Sequence, residues 1–445
     1  MTQTLRPLRD REFRLLVSAT LISVLGDGLM RVALPLLVLA ITDNDPLAIS
    51  FVGLAWMAGH TASLPIGGVT SDRRDRRSIM IASDLIRALA IGCMGVLGIA
   101  GVLQLWQVVA LGFSFGFANG FFNPSARSLT PDLVPEDDLA RANALLGLAR
   151  PMQLWIVGPL LGGVLVGIAG PGTALVVDAA TFVVSALVLA RLRRRDPAVS
   201  RETRSIGRDL REGLSYVGSH RWAGVWFTAS ALSTLAFHGT FDVLVPTMLK
   251  TDLGLSEAQA GWWMAMIFAA GGVGALLASS TIGRGGLPRR FMLQLYIAES
   301  LTLLGLAAFA YISRLWHVLI VGLVVFGATV MSEIIAETNL QREVPRALLG
   351  RVISLSWFVA IGVAPVSFAL AGPLGRLYGP RPVLAAVGVF AGVTVFALSL
   401  APGARSPEWR RRLRDRPTVG DLAPAERVAV GELAQADRGV AGGVG

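Results

Sequence analysis

Several ionisable side chains sit where the sequence is otherwise apolar. Asp27 and Arg31 stand one helical turn apart in an apolar stretch, and His238 and Asp242 repeat that spacing in another. Glu333 and Glu337 do so near the end of a third, and Arg127 closes a fourth. A charge in hydrocarbon is costly unless paired or hydrated, so such residues are candidates for proton carriage or for ion pairs that form and break. Two carboxylates one turn apart favour sharing a proton, which makes Glu333 the first candidate for proton binding and Asp27 the second. The structural alternative is a set of local i, i+4 contacts, Asp27 with Arg31 and His238 with Asp242, and a solvated Glu337 at a helix end. Asp84 and Arg87 fit a local i, i+3 pair, whereas Asp178 and Glu299 have no partner readable from sequence.

The elements that must position these groups follow from composition. Of 445 residues, 53% are hydrophobic and 16% charged, against roughly 25% charged in soluble proteins. Mean hydropathy is +0.61. The apolar stretches have the length of membrane helices, not of alternating ten-residue strands. Spans are expected at about 14–41, 47–70, 78–101, 104–127, 142–168, 172–191, 222–249, 259–281, 290–312, 316–340, 350–376 and 383–402. The fold class is therefore an all-α polytopic membrane protein with twelve transmembrane helices. A soluble enzyme, a disordered chain, a disulfide-stapled secreted domain and a β-barrel are excluded.

Arginines mark one side of the membrane. Alternate loops carry Arg6, Arg9 and Arg11; Arg73, Arg74, Arg76 and Arg77; nine arginines in 191–221; Arg284, Arg289 and Arg290; and Arg342 and Arg346. The opposite loops hold Lys250, Arg314, Arg376 and Arg381. The rich side is expected to be cytoplasmic, with both termini inside a bacterial-type inner or plasma membrane. The basic start of the chain lacks the pattern of a cleavable signal peptide. This placement also explains the formal charge of +10 without a nucleic-acid partner.

Four segments are expected: a six-helix bundle over 1–191, a cytoplasmic linker over 192–221, a second bundle over 222–402, and a disordered tail over 403–445. In the linker Ile206, Leu210, Leu214 and Val217 recur at helical spacing with Arg204, Arg208 and Arg211 between them, as in a helix lying on a membrane surface. Cys93 is the single cysteine, the four histidines are scattered, and Lys250 follows no glycine-rich phosphate loop. No cofactor or metal is expected, and neither ATP hydrolysis nor other enzyme chemistry.

The halves repeat at an offset of about 210. Leu133-Val134-Pro135 through Arg141 matches Glu343-Val344-Pro345 through Arg351, and Asp27 through Pro35 lies over His238 through Pro246. Asp27 is thereby matched with His238 and Arg31 with Asp242, while Arg127 corresponds to Glu337 and Asn123 to Glu333. Two six-helix halves in the same orientation imply a pseudo-twofold axis along the membrane normal, with a site between them.

These residues carry a family resemblance. Gly68 through Arg77, with Asp72, Arg73, Arg76 and Arg77, resembles the G-x-x-x-D-R-x-G-R-R loop of the major facilitator superfamily, with Asp75 where the family usually has glycine. Gly158-Pro159 followed by Gly162-Gly163 is similar to the core of its fifth-helix antiporter motif. Leu133-Val134-Pro135 with Asn143-Ala144-Leu145, and Leu210 through Leu214, resemble its multidrug and siderophore exporter branch. The arginine of the fourth-helix motif is missing. The resemblance implies a central cavity between helices one, four, seven and ten. It also implies that Asp72 meets the start of helix eleven, near Gly350 and Arg351, in the outward-facing state.

On that basis Arg31 and Asp242 are expected to latch the outer mouth, Arg127 and Glu337 the inner one, with Asp27 and His238 nearer the substrate. Arg73, Arg76 and Arg77 would bind carboxylates or lipid phosphates. Asn119, Asn123, Gln153, Trp155 and Asn339 are candidate cavity residues, as are Phe115, Phe117, Trp262 and Trp357, which fit lipid-facing positions equally well. So few polar groups suit an amphipathic or hydrophobic small molecule better than a sugar. The expected activity is secondary export of such a molecule by a monomer, in exchange for protons. Uptake or lipid flipping on the same scaffold, and a non-transporting sensor or scaffold, are the alternatives.

Overall fold

A computed structural model of the chain describes residues 6–73, 75–193 and 206–408. All α-helices follow in sequence: α1 (Arg11–Ile41), α2 (Pro46–Arg73), α3 (Arg76–Ile99), α4 (Leu105–Leu133), α5 (Glu136–Met152) and α6 (Gly158–Leu189). Then come α7 (Ile206–Ser219), α8 (Arg221–Gly239), α9 (Val245–Thr251), α10 (Glu257–Gly285), α11 (Phe291–Phe309), α12 (Leu315–Glu343), α13 (Arg346–Tyr378) and α14 (Pro380–Leu398). No strand occurs among the described residues.

Twelve spans are built from these helices. The fifth runs through α5, a π-helical turn at Gln153–Val157 and the first part of α6. It ends at Gly170, whose φ of 81° breaks α6, and the sixth span starts at Pro171 with no intervening loop. A left-handed backbone of this kind is open to glycine at little cost. The seventh span joins α8 and α9 through a second π-helical turn at Thr240–Leu244.

A shared cause accounts for both π turns. Pro159 and Pro246 each stand two residues beyond the end of one, and a proline inside a helix supplies no N–H and crowds the carbonyl four residues back. Those carbonyls belong to Trp155 and Asp242. Widening by one residue relieves the crowding, and the Gly158 N–H bonds the Gln153 carbonyl five residues back. π turns of this sort frequently mark functional sites.

Among the first six spans α1 packs on α6, α2 on α4, and α3 on both α4 and α6. Among the last six, α10 packs on α12, α11 on α12 and α14, and α8 on α13. The halves meet along α6 with α10 and along α2 with α13. Each seam is the image of the other when span two is exchanged with eight and five with eleven, so the pseudo-twofold relation is visible in the packing.

Local chemistry fixes the helix starts. Asp10 accepts from the Phe13 N–H at 2.9 Å at the start of α1, and Ser256 and Gln259 form a capping box on α10. Asp75 caps α3 by accepting from the Ser78 N–H and hydroxyl at 3.2 and 2.6 Å. That gives the aspartate in the second–third loop a structural reason to be there.

The linker helix α7 lies against the start of α13, where Glu212 pairs with Arg351 and the Tyr216 hydroxyl donates to the Glu343 carbonyl at 3.1 Å. The side chains of Ile206, Arg208 and Leu210, residue Arg204 and the tail from 409 onward lie outside the described residues. Residues 403–408 fold back on the bundle. There Glu408, 2% exposed, accepts from the Leu293 N–H at 2.8 Å and from Arg405 at 3.0 Å.

Candidate functional site

The two halves are closed against each other at the end that carries the 42–45 turn. Close approach requires small residues there. A Cβ on Gly163 would lie 2.6 Å from Ala265 Cβ and 2.8 Å from the Gly261 carbonyl, and one on Gly372 would lie 2.4 Å from Ser50 Oγ. Arg376 reaches Asp45 at 3.8 Å across the α2–α13 seam. At the opposite end Arg127 and Glu337 are both exposed, and no ion pair within 4 Å joins them. The molecule is zipped at one mouth and parted at the other.

Near the axis, just below the closed mouth, Arg31 lies within electrostatic reach of Asp242 and, more weakly, of Asp27. The guanidinium of Arg31 stacks 4.3 Å over the Trp155 ring and 6.0 Å from Phe268. Such cation–π contacts hold a charge without a carboxylate. Trp155 comes from the π turn of span five and Asp242 from the π turn of span seven, so both irregular turns supply groups around one arginine. His238 is exposed to the open space and feels both Asp242 and Arg31.

Asp27 is placed differently from the expectation that it faces His238. Its partner is Arg87 of α3 at 3.8 Å. Arg87 also pairs with Asp84 and donates to Ser23 Oγ at 3.2 Å, and lies 4.4 Å over both the Phe122 and the Phe182 ring. Asp84 accepts from Ser185 Oγ at 2.6 Å, and Asp178 sits beside Thr181, whose hydroxyl is 3.4 Å from Oδ1. The i, i+3 pair of Asp84 and Arg87 is thus the centre of a buried cluster from α1, α3 and α6. Sequence spacing signalled only the local pair. The available signs of the rest were Asp27 and Asp178, acids inside apolar runs.

Towards the open mouth, Arg150 donates to Asn123 Oδ1 at 2.7 Å, joining spans four and five, and Arg127 acts on Arg150 as a like charge. Across the gap Glu333 is exposed and senses Glu337. The first half thus carries a cationic pair, Arg127 and Arg150, and the second an anionic pair, Glu333 and Glu337. Asn119, Gln153 and Trp155 are half-buried. Asn339 is 3% exposed and packs within its own half, so it does not line the space. Phe115 is likewise core, edge-on to Phe182 at 5.7 Å, whereas Trp262 and Trp357 are exposed.

Within the loop motif, Gly68 lies in α2, and the side chains of Asp72 and Arg73 and residue Arg74 fall outside the described residues. Arg76 reaches Asp132 at 2.6 Å and the Ser128 carbonyl at 2.9 Å, tying α3 to the end of α4. Arg77 donates to the Leu189 and Ala190 carbonyls at 3.0 and 2.5 Å, where a cation suits the C-terminal end of α6. Gly158, Pro159, Gly162 and Gly163 are all buried. A Cβ on Gly28 would lie 2.9 Å from Gly158 Cα, so these glycines bring spans one and five into backbone contact.

Residues 16–365 match the family model described as Major Facilitator Superfamily. The chain belongs to the Major Facilitator Superfamily. This major facilitator protein is similar to the enterobactin exporter EntS of Citrobacter koseri, with 26% identity over 424 residues that cover 93% of this chain and 95% of that one. Its similarity to the same-named exporter of Escherichia coli is 26% identity over 380 residues, 83% of this chain and 86% of the other. In fold it resembles the nucleoside transporter NupG, with a TM-score of 0.71 at 13% identity, covering 88% and 98% of the two chains. It also resembles a bacterial homologue of the iron transporter ferroportin in the inward-facing state, with a TM-score of 0.66 at 18% identity, covering 88% and 99%. The protein is a multi-pass membrane transporter of this superfamily and not an enzyme.

Proposed function

We propose that this major facilitator protein exports an amphipathic small molecule, of the drug or siderophore kind, by alternating access in exchange for protons. Residues 1–191 and 222–402 act as the two rocking halves, joined by the 192–221 linker, with both termini cytoplasmic. The closed mouth is then extracellular and the parted one cytoplasmic. The observation that carries the reading is the charge arrangement about the axis. Arg31 and Asp242 lie within electrostatic reach of each other near the closed mouth, with no ion pair within 4 Å between them, while Arg127 and Glu337 are both exposed and unpaired with each other at the other end. Rocking exchanges these two situations, so each mouth has a pair of opposite sign to clasp it.

Similarity to the enterobactin exporter over nearly the whole chain supports export of a bulky amphipathic molecule. The pathway offers Trp155 and few polar anchors, as such a molecule requires. Glu333 and Asp27 stand where a proton can be taken up and released as the cavity changes sides. The driving force is adequate without ATP. A potential of 100 mV supplies about 2.3 kcal/mol per charge moved, which sustains a gradient of roughly fifty-fold at about 1.4 kcal/mol per decade.

Purified monomeric protein in liposomes with an imposed pH gradient tests the reading against a panel of lipophilic cations, antibiotics and catecholate siderophores. The expected result is substrate movement that follows the gradient and collapses with a protonophore. Movement of substrate indifferent to the gradient, or of none in the panel, rejects it. In the same assay Glu333→Gln is expected to uncouple movement from pH.

A further inference from the structure

The polar cluster inside the first six spans holds more negative charge than it can balance. Asp27 from α1, Asp84 from α3 and Asp178 from α6 surround Arg87. If all three carboxyls were ionised, the group would carry two uncompensated negative charges in the core of a bilayer. Arg31 and Arg150 act on Asp27, whereas the charges that reach Asp178 are Asp27 and Arg87. Burial is complete for two of the acids, Asp84 and Asp178 each being 0% exposed.

The three acids are served unequally. Asp84 has Arg87 and the Ser185 hydroxyl, and Asp27 has Arg87 and an open side towards the cavity, its side chain being 22% exposed. Asp178 has a long contact to Thr181 on one oxygen, while its Oδ2 has no hydrogen-bond partner among the described residues. An ionised carboxylate with an unsatisfied oxygen in hydrocarbon is among the costliest arrangements a protein can hold. A neutral carboxylic acid is not, because one oxygen then carries a hydrogen. The chain has also kept room for this side chain. A Cβ on Gly26 would fall 2.0 Å from Asp178 Oδ1, so the neighbour of Asp27 must be glycine for Asp178 to sit there.

We propose that Asp178 is a proton-holding residue of this transporter and exchanges its proton with Asp27 as Arg87 turns from one carboxylate to the other. In the step an O–H bond on Asp178 breaks and one on Asp27 forms, the proton count and the charge on Arg87 being unchanged. Asp27 faces the cavity and gives the proton its way out; Asp178 keeps it away from water. The use of this exchange in transport rests on the proton-exchange reading above. The presence of the proton does not.

The test is infrared spectroscopy of the purified full-length protein at neutral pH, reading the deuterium-sensitive carboxylic C=O stretch without any transport substrate. One carboxyl component is expected to vanish in Asp178→Asn and to persist in Asp27→Asn. Its deuterium exchange is expected to slow several-fold in Asp27→Asn. An unaltered spectrum in Asp178→Asn, or loss of the component in Asp27→Asn instead, overturns the assignment to Asp178. An unchanged exchange rate overturns the exchange with Asp27. Should Asp178→Asn fail to give monodisperse protein, Asp178→Glu keeps the acid and must shift the component's frequency, an unshifted band again overturning it. Failure of gradient-driven export in liposomes would leave this readout standing, so the two failures are separable.

Discussion

The two halves share one helix plan but not one interior. In the first, Ser23 of α1 touches Arg87 of α3, Asp27 and Asp84 pair with that arginine, and Asp178 lies within its electrostatic reach. In the second half, between the equivalent pair of helices, Ser233 of α8 touches Glu299 of α11 at 3.4 Å, 210 residues on from Ser23 and 212 from Arg87. Nothing cationic approaches Glu299 there among the described residues, and the nearby Tyr296 hydroxyl has no partner. A duplicated backbone therefore conserves where polar contacts fall between the first and third helix of a half, while the charges at those points have diverged. The first half holds a network whose members depend on one cation, and the second holds an isolated acid.

That contrast gives its largest effect at Arg87. Removing the cation strands buried carboxylates, and breaking a buried pair in this way costs about 3–5 kcal/mol. Arg87→Met is expected to lower the thermal unfolding midpoint in detergent sharply, with partial recovery in Arg87→Met combined with Asp84→Leu. An unaltered midpoint would remove the distinction between the halves.

The seams come next. Gly163→Val places a methyl group where Ala265 Cβ already stands, and overpacking of this kind costs about 1–3 kcal/mol. Because this contact belongs to the seam at the closed mouth, the variant is expected to favour the alternate state. In a Cys93→Ala background, maleimide labelling of Leu36→Cys, buried at this seam, is expected to rise. If labelling is unchanged, the seam does not open.

Glu299→Gln supplies the mirror of the Arg87 experiment. With only the neutral side-chain hydrogen-bond donors Ser233 and Trp226 at stake, it should alter stability by less than about 1 kcal/mol, measured by the same melting assay. A loss comparable to that of Arg87→Met would show that the second half has a network of its own. Smallest of all is Glu212→Gln, which frees Arg351 from α7. Both partners are partly exposed, and pairs of that kind contribute at most about 1 kcal/mol, screened by salt. The effect should appear at low ionic strength in melting and disappear at high.

Much of the fold was legible because it follows from one-dimensional quantities. Run length and arginine asymmetry give twelve spans, and the repeat gives the axis. The break at Gly170 fell between the expected fifth and sixth spans because there the glycine before Pro171 takes a positive φ, which ends the helix. The π turns were not expected, although Pro159 and Pro246 contain their cause, because a proline states that a helix is disturbed and not how the disturbance is absorbed.

The site was legible only along each helix. Arg31 opposite Asp242 was accessible through the repeat, since symmetry relates positions across the axis. The pairing of Asp27 with Arg87, with Asp178 nearby, was not, since no periodicity tells which faces of spans one, three and six meet. The same limit misplaced Asn339, a polar residue on a mixed helix whose packed face carries it away from the cavity.

The clasping of alternate mouths is tested most directly by disulfide crosslinking of two cysteine pairs in the Cys93→Ala background. Arg31→Cys with Asp242→Cys is expected to couple efficiently in the unliganded protein, and Arg127→Cys with Glu337→Cys only when the Gly163→Val substitution opens the opposite mouth. Efficient coupling of both pairs in one state, or of neither in any state, would contradict the account.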